Sequence, residues 1–554
     1  MYKKIIIFFI SSFLTAILLI PVTSSARIYL FDGKLEIVGN VQQKVMLKFH
    51  MKSWEKGEGE HGYLARGGRM KNPAMFKTHF HIEGLYHVYK SENILLDFYS
   101  LWEWFYDFSP DIRGDIHRAM SAYDRNKYQT PHGEDMCREM YINFVSGPWT
   151  LRLGKQQVVW GETSLQRTAD VVNPIDLRSH LMGVDDWEDF KVGNWMFRGF
   201  YQTSFRNDLT FEWVWIPQDF QHLELPVEGT AYNTQYTAGW MTQMERRMRH
   251  DANDYDHGLH DSQGGFRIRG YNWDWDWTLI YFNGYNPGAT VYDWGNRKDS
   301  YKPTTPFGWL SYKLGIGGFN LYTGEYFVNF TNGDPLPRFP HNKCFKYYRI
   351  DNFGATATKY FHSLDLFGLK IRTDTLVRFE FAYKEGVHFN RIDKNNAAYG
   401  ITQRDQIAYG LEISRDFYPQ WILRYNDQRS VDLTFSLYQD WILNHAHYLG
   451  VSGLNHGYGD RSSTTIGIGG STYWMKDEIY TRWSWEQNLS GSGSFYFVIQ
   501  YGPGDHWRFQ VMPRYSWSNT GPFNNKEDAK GRGKALSEKT DTLNFVCFKI
   551  IYLF

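Results

Sequence analysis

The stretch Asn544–Phe554, NFVCFKIIYLF, decides how the rest of the chain is read. Val546, Phe548, Ile550, Tyr552 and Phe554 fall on one side of an extended strand, because successive side chains point to opposite faces. A soluble sheet ending on such a strand would leave an apolar edge open to aggregation. A strand that closes a barrel in a membrane has no free edge and faces lipid. The opposite face, Phe545, Cys547, Lys549, Ile551 and Leu553, is also poor in charge, which predicts a packed interior near the seam.

The other end reads as an export signal. Lys3 and Lys4 precede an apolar run, Ile5 to Ile20, interrupted only by Ser11, Ser12 and Thr15. Pro21 and Ser24-Ser25-Ala26 then supply a small-residue cleavage site, so the expected organisation is a signal peptide over 1–26 and one exported domain over 27–554. No later stretch approaches the apolar length of a transmembrane helix. Aromatic residues nevertheless make up 18% of the chain, and the mean hydropathy is −0.52. Both follow if lipid-facing and lumen-facing residues alternate and average out. The formal net charge is +0, so no whole-protein field favours nucleic acid. The three cysteines, Cys137, Cys344 and Cys547, are widely spaced and odd in number, which excludes a fully paired disulfide framework within the chain and a metal-type cluster.

Alternating runs recur along the chain. Ile94, Leu96, Phe98, Trp102, Trp104, Tyr106 and Phe108 oppose Asp97, Tyr99, Glu103 and Asp107. Leu209, Phe211, Trp213 and Trp215 oppose Thr210 and Glu212. The same holds for Trp273 to Tyr281, for Val377 to Tyr383 against Arg378, Glu380 and Lys384, and for Ile479 to Trp485 against Arg482 and Glu486. A half-buried soluble sheet also alternates. Here, however, one face is aromatic and the other carries charges of both signs, as a water-filled lumen would. Tight turns are expected at Lys90-Glu92, Gly147-Pro148, Arg206-Asp208, Gly315-Gly318, Tyr418-Gln420, Lys476-Glu478 and Gly502-Asp505. Longer polar segments fall between them, at about 50–76, 109–138, 160–193, 218–263, 285–306, 331–343, 386–403, 443–463 and 518–541. The fold class predicted is all-β: a transmembrane antiparallel β-barrel of roughly 18 to 20 strands, too wide for its own side chains to fill.

The segment Leu151–Asp189 breaks the alternation. A strand ends at Trp160-Gly161-Glu162, and Arg167, Asp170, Asn173-Pro174, Asp176 and Arg178 follow, closed by Asp185, Asp186, Glu188 and Asp189. Pro174 keeps Asn173 out of helix, so a turn is expected there. The charges read as a network on loop 160–193 folded into the lumen, pairing with the wall and narrowing the pore. Trp160, Glu162, Arg167, Asp170, Asp176 and Arg178 are the expected constriction. Asp97, Glu103, Glu212, Arg378, Glu380, Arg482, Glu486 and Arg508 are the expected lumen wall. The same charges could instead do no more than fix the loop. His250–Asp261, HDANDYDHGLHD, is rich in oxygen and imidazole donors but lacks the spacing of a calcium loop and reads foremost as a solvated segment. Gly239–His250 reads as an irregular loop or a short amphipathic helix. No nucleophile elbow or His-Glu-x-x-His motif is present, so no catalytic residue, metal site or cofactor is assigned.

The pattern Gly154-Lys155-Gln156, Trp160-Gly161-Glu162, Arg167, Asp170 and Asn173-Pro174-Ile175-Asp176 resembles a domain-of-unknown-function family of large proteobacterial outer-membrane proteins. The resemblance implies an outer-membrane barrel carrying a small organic or hydrophobic solute, and no catalytic residues. The terminal strand ending in Phe554 likewise resembles the signal read by the barrel-assembly machinery. Outer-membrane lipid and periplasmic proteins are the other expected partners. An exporter of polysaccharide or lipid, and a sheath around a cytochrome, are the alternatives, although the early Cys-x-x-Cys expected of such a sheath is missing.

Overall fold

The computed structural model describes residues 27–48, 73–112, 128–131, 133–164, 167–180, 184–185, 187–204, 208–217, 259–286, 290–291, 318–320, 325–327, 345–366, 369–392, 398–419, 430–446, 461–489, 492–518 and 544–554. The expected signal peptide, the Gly239–His250 segment and most of His250–Asp261 lie outside these residues.

Eighteen long strands form the wall. The first nine are β1 (Leu35–Lys48), β2 (Met75–Lys90), β3 (Ile94–Asp107), β4 (Cys137–Ser146), β5 (Trp149–Gln156), β6 (Asn194–Gln202), β7 (Thr210–Ile216), β8 (Gln263–Asn272) and β9 (Trp275–Tyr285). The second nine are β10 (Arg349–Leu366), β11 (Leu369–Ile392), β12 (Ala398–Phe417), β13 (Val431–Ile442), β14 (Ser462–Trp474), β15 (Ile479–Asn488), β16 (Ser492–Tyr501), β17 (Trp507–Ser518) and β18 (Phe545–Leu553). Each pairs antiparallel with its neighbours in sequence, and β18 returns to β1 in the register Asn40↔Leu553 to Lys48↔Phe545. The sheet therefore closes. A short arm, Ile28–Leu30, continues the seam by pairing with Leu35–Ile37 of β1, beyond the end of β18.

Alternation sorts the two faces as the sequence predicts. On β3, Ile94, Phe98, Trp102 and Trp104 are exposed outward, whereas Asp97, Leu101, Glu103, Phe105 and Asp107 are buried inward. Trp195, Phe197, Trp215, Phe379, Phe435, Phe495, Phe548 and Ile550 extend the outer apolar surface around the ring. An apolar surface this continuous is not stable in water, and a closed sheet satisfies its backbone without water. The wall is that of a membrane barrel. At the seam, Phe545 and Cys547 are buried with Met46, Met75, Tyr128, Val184, Val498 and Met512, so the interior there is packed, as expected.

Short connections join the strands at one rim, except that 418–430 separates β12 from β13, so the tight turn expected at Tyr418-Gln420 does not join two strands there. Trp273 and Asp274 make a two-residue hairpin with φ of 52° and 63°, the left-handed pair that matches the twist of the flanking strands. That turn corrects the expectation of a strand beginning at Trp273, because its two residues bend the chain before β9 starts. Long segments join the strands at the other rim, with short exceptions at 393–397 and 489–491. The polar loop expected at 386–403 is mostly strand, since β11 and β12 run on and pair through Val387↔Arg404 to Ile392↔Ala398. The segments expected at 285–306 and 331–343 belong to one connection between β9 and β10. Gly318 opens a separate two-stranded ribbon with Glu325–Phe327 instead of a wall turn.

Candidate functional site: the loop between β5 and β6

The connection 157–193 meets the inward face of the barrel on both sides. Asn173 closes its stem. The Asn173 side chain accepts from Val158 N (2.7 Å) and donates to Gln156 O (3.1 Å) and Val192 O (2.7 Å). Ile175 bridges Lys191, and Asp176 N donates to Phe190 O. The Asn-Pro turn read from the sequence is thus a clamp that joins both arms of the loop.

From that stem the first arm crosses towards β7–β12. Trp160 is fully buried, packs edge-to-face on Phe282, and donates its indole N–H to Glu212 at 3.0 Å. Glu212 also receives Arg198 at 2.8 Å and Arg267 at 2.7 Å. Val158, Ala169 and Val172 fill the space against Met196, Val214, Ile216, Ile280 and Phe282. Beyond Trp160 the loop binds carboxylates of the far wall. Glu380 accepts from the backbone N–H of Glu162, Thr163 and Ala169 and from the Thr168 hydroxyl. Glu412 accepts from Ser164 and pairs with Arg378. The Glu162 carboxylate in turn accepts from Thr356 and Thr358 on β10. Gly161 lies so close to Arg167 that an added Cβ would stand 2.7 Å from the Arg167 Cβ. The tip therefore folds back tightly there.

The second arm binds β1–β4. Lys44 pairs with Asp185, with both side chains fully enclosed. Lys77 donates to Ser179 O at 2.9 Å and sits 3.9 Å over the Phe105 ring. Glu103 is met by His79 at 2.9 Å, Arg138 at 3.0 Å and His180 at 3.8 Å. Arg138 also donates to Asp189 O. Removing one partner from such an enclosed set leaves an uncompensated charge, typically costing about 3–5 kcal/mol. Burial, reinforced by Lys77, pushes His180 down to about 4, so it is neutral at pH 7. Burial alone would raise Asp185, but the ammonium groups of Lys44 and Lys77 hold it well below the ordinary carboxylate range.

The expected constriction residues divide between these roles. Trp160 and Glu162 reach the wall directly. Asp170 ties the loop to itself, accepting from Trp160 N and pairing with Lys191. Asp176 and Arg178 form a bidentate pair that reaches on to Asp135. Arg167 braces the tip through Thr163 O at 3.3 Å. Of the expected wall residues, Glu103, Glu212, Glu380 and Arg378 join the loop network. Asp97 is inward but bonds His87 at 2.7 Å, and Arg482 and Glu486 face inward on β15. Arg508 bonds the turn carbonyls of Gly504 and Trp507, which places it at the short-turn mouth. Sequence reading missed Lys44, Lys77, His79, Arg138, His180 and Glu412. For Lys44, Lys77, His79 and Glu412 the only sequence signal is a charged or imidazole group on the inward parity of a strand; Arg138 turns inward at a register shift of β4 and His180 lies on the loop, and no such signal names a partner.

A search of curated proteins found no match. Among solved structures, OccAB1 of Acinetobacter baumannii is similar at 8% identity and TM-score 0.43, covering 96% of this chain and 98% of that one. OmpF of Salmonella typhi, in complex with daunomycin, is similar at 8% identity and TM-score 0.39, covering 95% and 100%. OmpT of Vibrio cholerae, an outer membrane protein solved without its loop L8, is similar at 7% identity and TM-score 0.35, covering 94% and 99%. The sequence profile described as "Protein of unknown function (DUF1302)" matches residues 90–538, a span that includes β3 to β17 and the whole inner loop. The chain belongs to the DUF1302 family and is a β-barrel of the bacterial outer membrane.

Proposed function

We propose that this protein is a channel for a small organic solute, with the loop 157–193 as its constriction. One observation carries the reading: a single connection is bonded to inward-facing groups on opposite sides of an eighteen-strand ring. A ring of that size is wider than its own side chains can fill, so what crosses it sets the width of any path. Pore selectivity follows from pore-lining charges and dimensions. Glu162 and Arg167, half-buried at the tip, are the charges through which the loop would act on a passing solute. Planar-bilayer recording of refolded protein tests this. The expected result is a steady single-channel conductance, altered in size or ion selectivity by Glu162→Ala or Arg167→Ala. A correctly folded barrel that passes no current removes the channel reading, and unchanged conductance in both variants removes the constriction role.

A further inference from the structure

We infer that the path through this barrel is off-axis, a hydrated crescent between the loop tip and the inner face of β13–β15, suited to small polar organic solutes instead of apolar ones. The inference rests on the channel reading and adds where the path runs and what it takes.

The inner wall is covered unevenly. Where the loop docks, even charged inward groups are out of solvent: Lys44, Lys77, His79, Glu103, Glu212, Glu380 and Glu412 are at most 2% exposed. On β13–β15 the equivalent groups are not. Arg482 is exposed, and Asp432, Asp440 and Glu486 are only half-buried. The tip's bonds to the wall described above reach as far as Glu412 on β12. Water therefore reaches the inner face beyond it.

The same arc is lined by short side chains. Phe435 and Ile468 pair on the outer face, so Ser463, Thr465, Gly467, Gly469 and Ser471 of β14 take the inward positions. Thr434 of β13 flanks them half-buried on the same side; Ser436 and Ser484 are inward but covered, and the larger Tyr438 stands opposite Thr465. Small residues leave space against the wall, and hydroxyl groups offer hydrogen bonds that exchange easily with a hydrated solute. Passage needs that kind of weak, repeated binding, favourable enough to enter and weak enough to leave. No inward apolar strip exists on β14 to hold a hydrophobic body. Charges of both signs meet at the edge: Asp432 interacts electrostatically with Asp416 and Glu412 and with Arg378 and Arg482. On β13–β15 themselves three inward carboxylates, Asp432, Asp440 and Glu486, face one inward guanidinium, Arg482, so the arc suits neutral or cationic solutes better than anions.

Thiol labelling tests the route. Ser471→Cys and Thr465→Cys stand in the proposed crescent. Thr278→Cys faces inward beneath the loop, where Thr278 is 1% exposed and bonded to Thr356. Each variant is recorded in a planar bilayer before and after a charged methanethiosulfonate, with the unsubstituted protein as baseline. Labelling at 471 and 465 is expected to lower conductance by more than half, reversibly with reductant, and to slow swelling of proteoliposomes in a neutral pentose to a similar extent. Labelling at 278 is expected to change neither. If the protein conducts but 471 and 465 stay unlabelled by mass spectrometry, or are labelled without effect, the off-axis route is wrong. If block occurs only at 278, the path lies on the other side of the loop. If current is blocked while pentose entry is not, the assigned solute class is wrong. Absence of current from the unsubstituted protein rejects the channel reading itself.

Discussion

Replacing Glu380 with alanine should release the tip of the inner loop. One carboxylate accepts four donors from the loop: the N–H groups of Glu162, Thr163 and Ala169 and the hydroxyl of Thr168. The site is dry, since Glu380 is 0% exposed. Hydrogen bonds to a charged group are worth about 1.5–3 kcal/mol each, but four that share two oxygens do not add in full. A net loss of about 2–4 kcal/mol is a conservative reading, and it moves the docked-to-released ratio by about 30- to 1000-fold. Glu380→Gln should sit between, because its amide keeps one acceptor and turns a donor towards N–H groups that need acceptors. The assay is single-channel recording beside hydrogen exchange of the segment 161–170. The variant should show larger, noisier conductance and exchange accelerated at the tip but not in β11. Unchanged conductance and unchanged exchange in a folded Glu380→Ala barrel would refute the claim that this carboxylate holds the tip.

Two further outcomes are expected. Trp160→Phe keeps an aromatic ring against Phe282 but loses the indole donor to Glu212, so protection of amides 158–173 should fall by about 1–3 kcal/mol; exchange equal to the wild type would show that the indole bond is dispensable. Acidification should loosen the second arm. His180 titrates near 4 when docked and at 6.5 when free, so the docked state resists its protonation. Docking is then at full strength above pH 6.5 and weakens as pH falls from 6.5 to about 4; a rise in conductance noise across that window, flattened in His180→Gln, is the measurement, and a pH-independent trace would contradict it.

The sequence made the wall legible because a strand has a strict period of two and lipid enforces it on one face. Trp102 and Glu103 could be assigned to opposite sides from their positions alone, and the structure places them so. Turn positions were less legible. Asn272-Trp273-Asp274-Trp275 contains no glycine, and its aromatic residues continue the alternation of the strand, which hid the hairpin. Within the site, the segment from Trp160 to Arg178 stood out because it lacks strand periodicity. Its docking partners did not. Lys44 and Asp185 are 141 positions apart, and Ser164 and Glu412 are 248 apart. Such pairs are chosen by three-dimensional closure, and nothing local in a strand records which charge across the ring will answer its own.

Those separations also set an order of events. The tip cannot find Glu412 until β12 exists and has curved round to face it, and Lys44 cannot meet Asp185 until β1 and the loop share one enclosure. Contacts of this span bear the whole entropy of the chain between them and form after nearer pairings have shortened it. The stem and the Trp160–Glu212 bond, 52 positions apart, can form before the tip reaches Glu412, so the loop is anchored at its base before it is anchored at its end. The contact that fixes how far the loop crosses the ring is thus the one of longest span, and the width of any path is the last dimension of the molecule to be set.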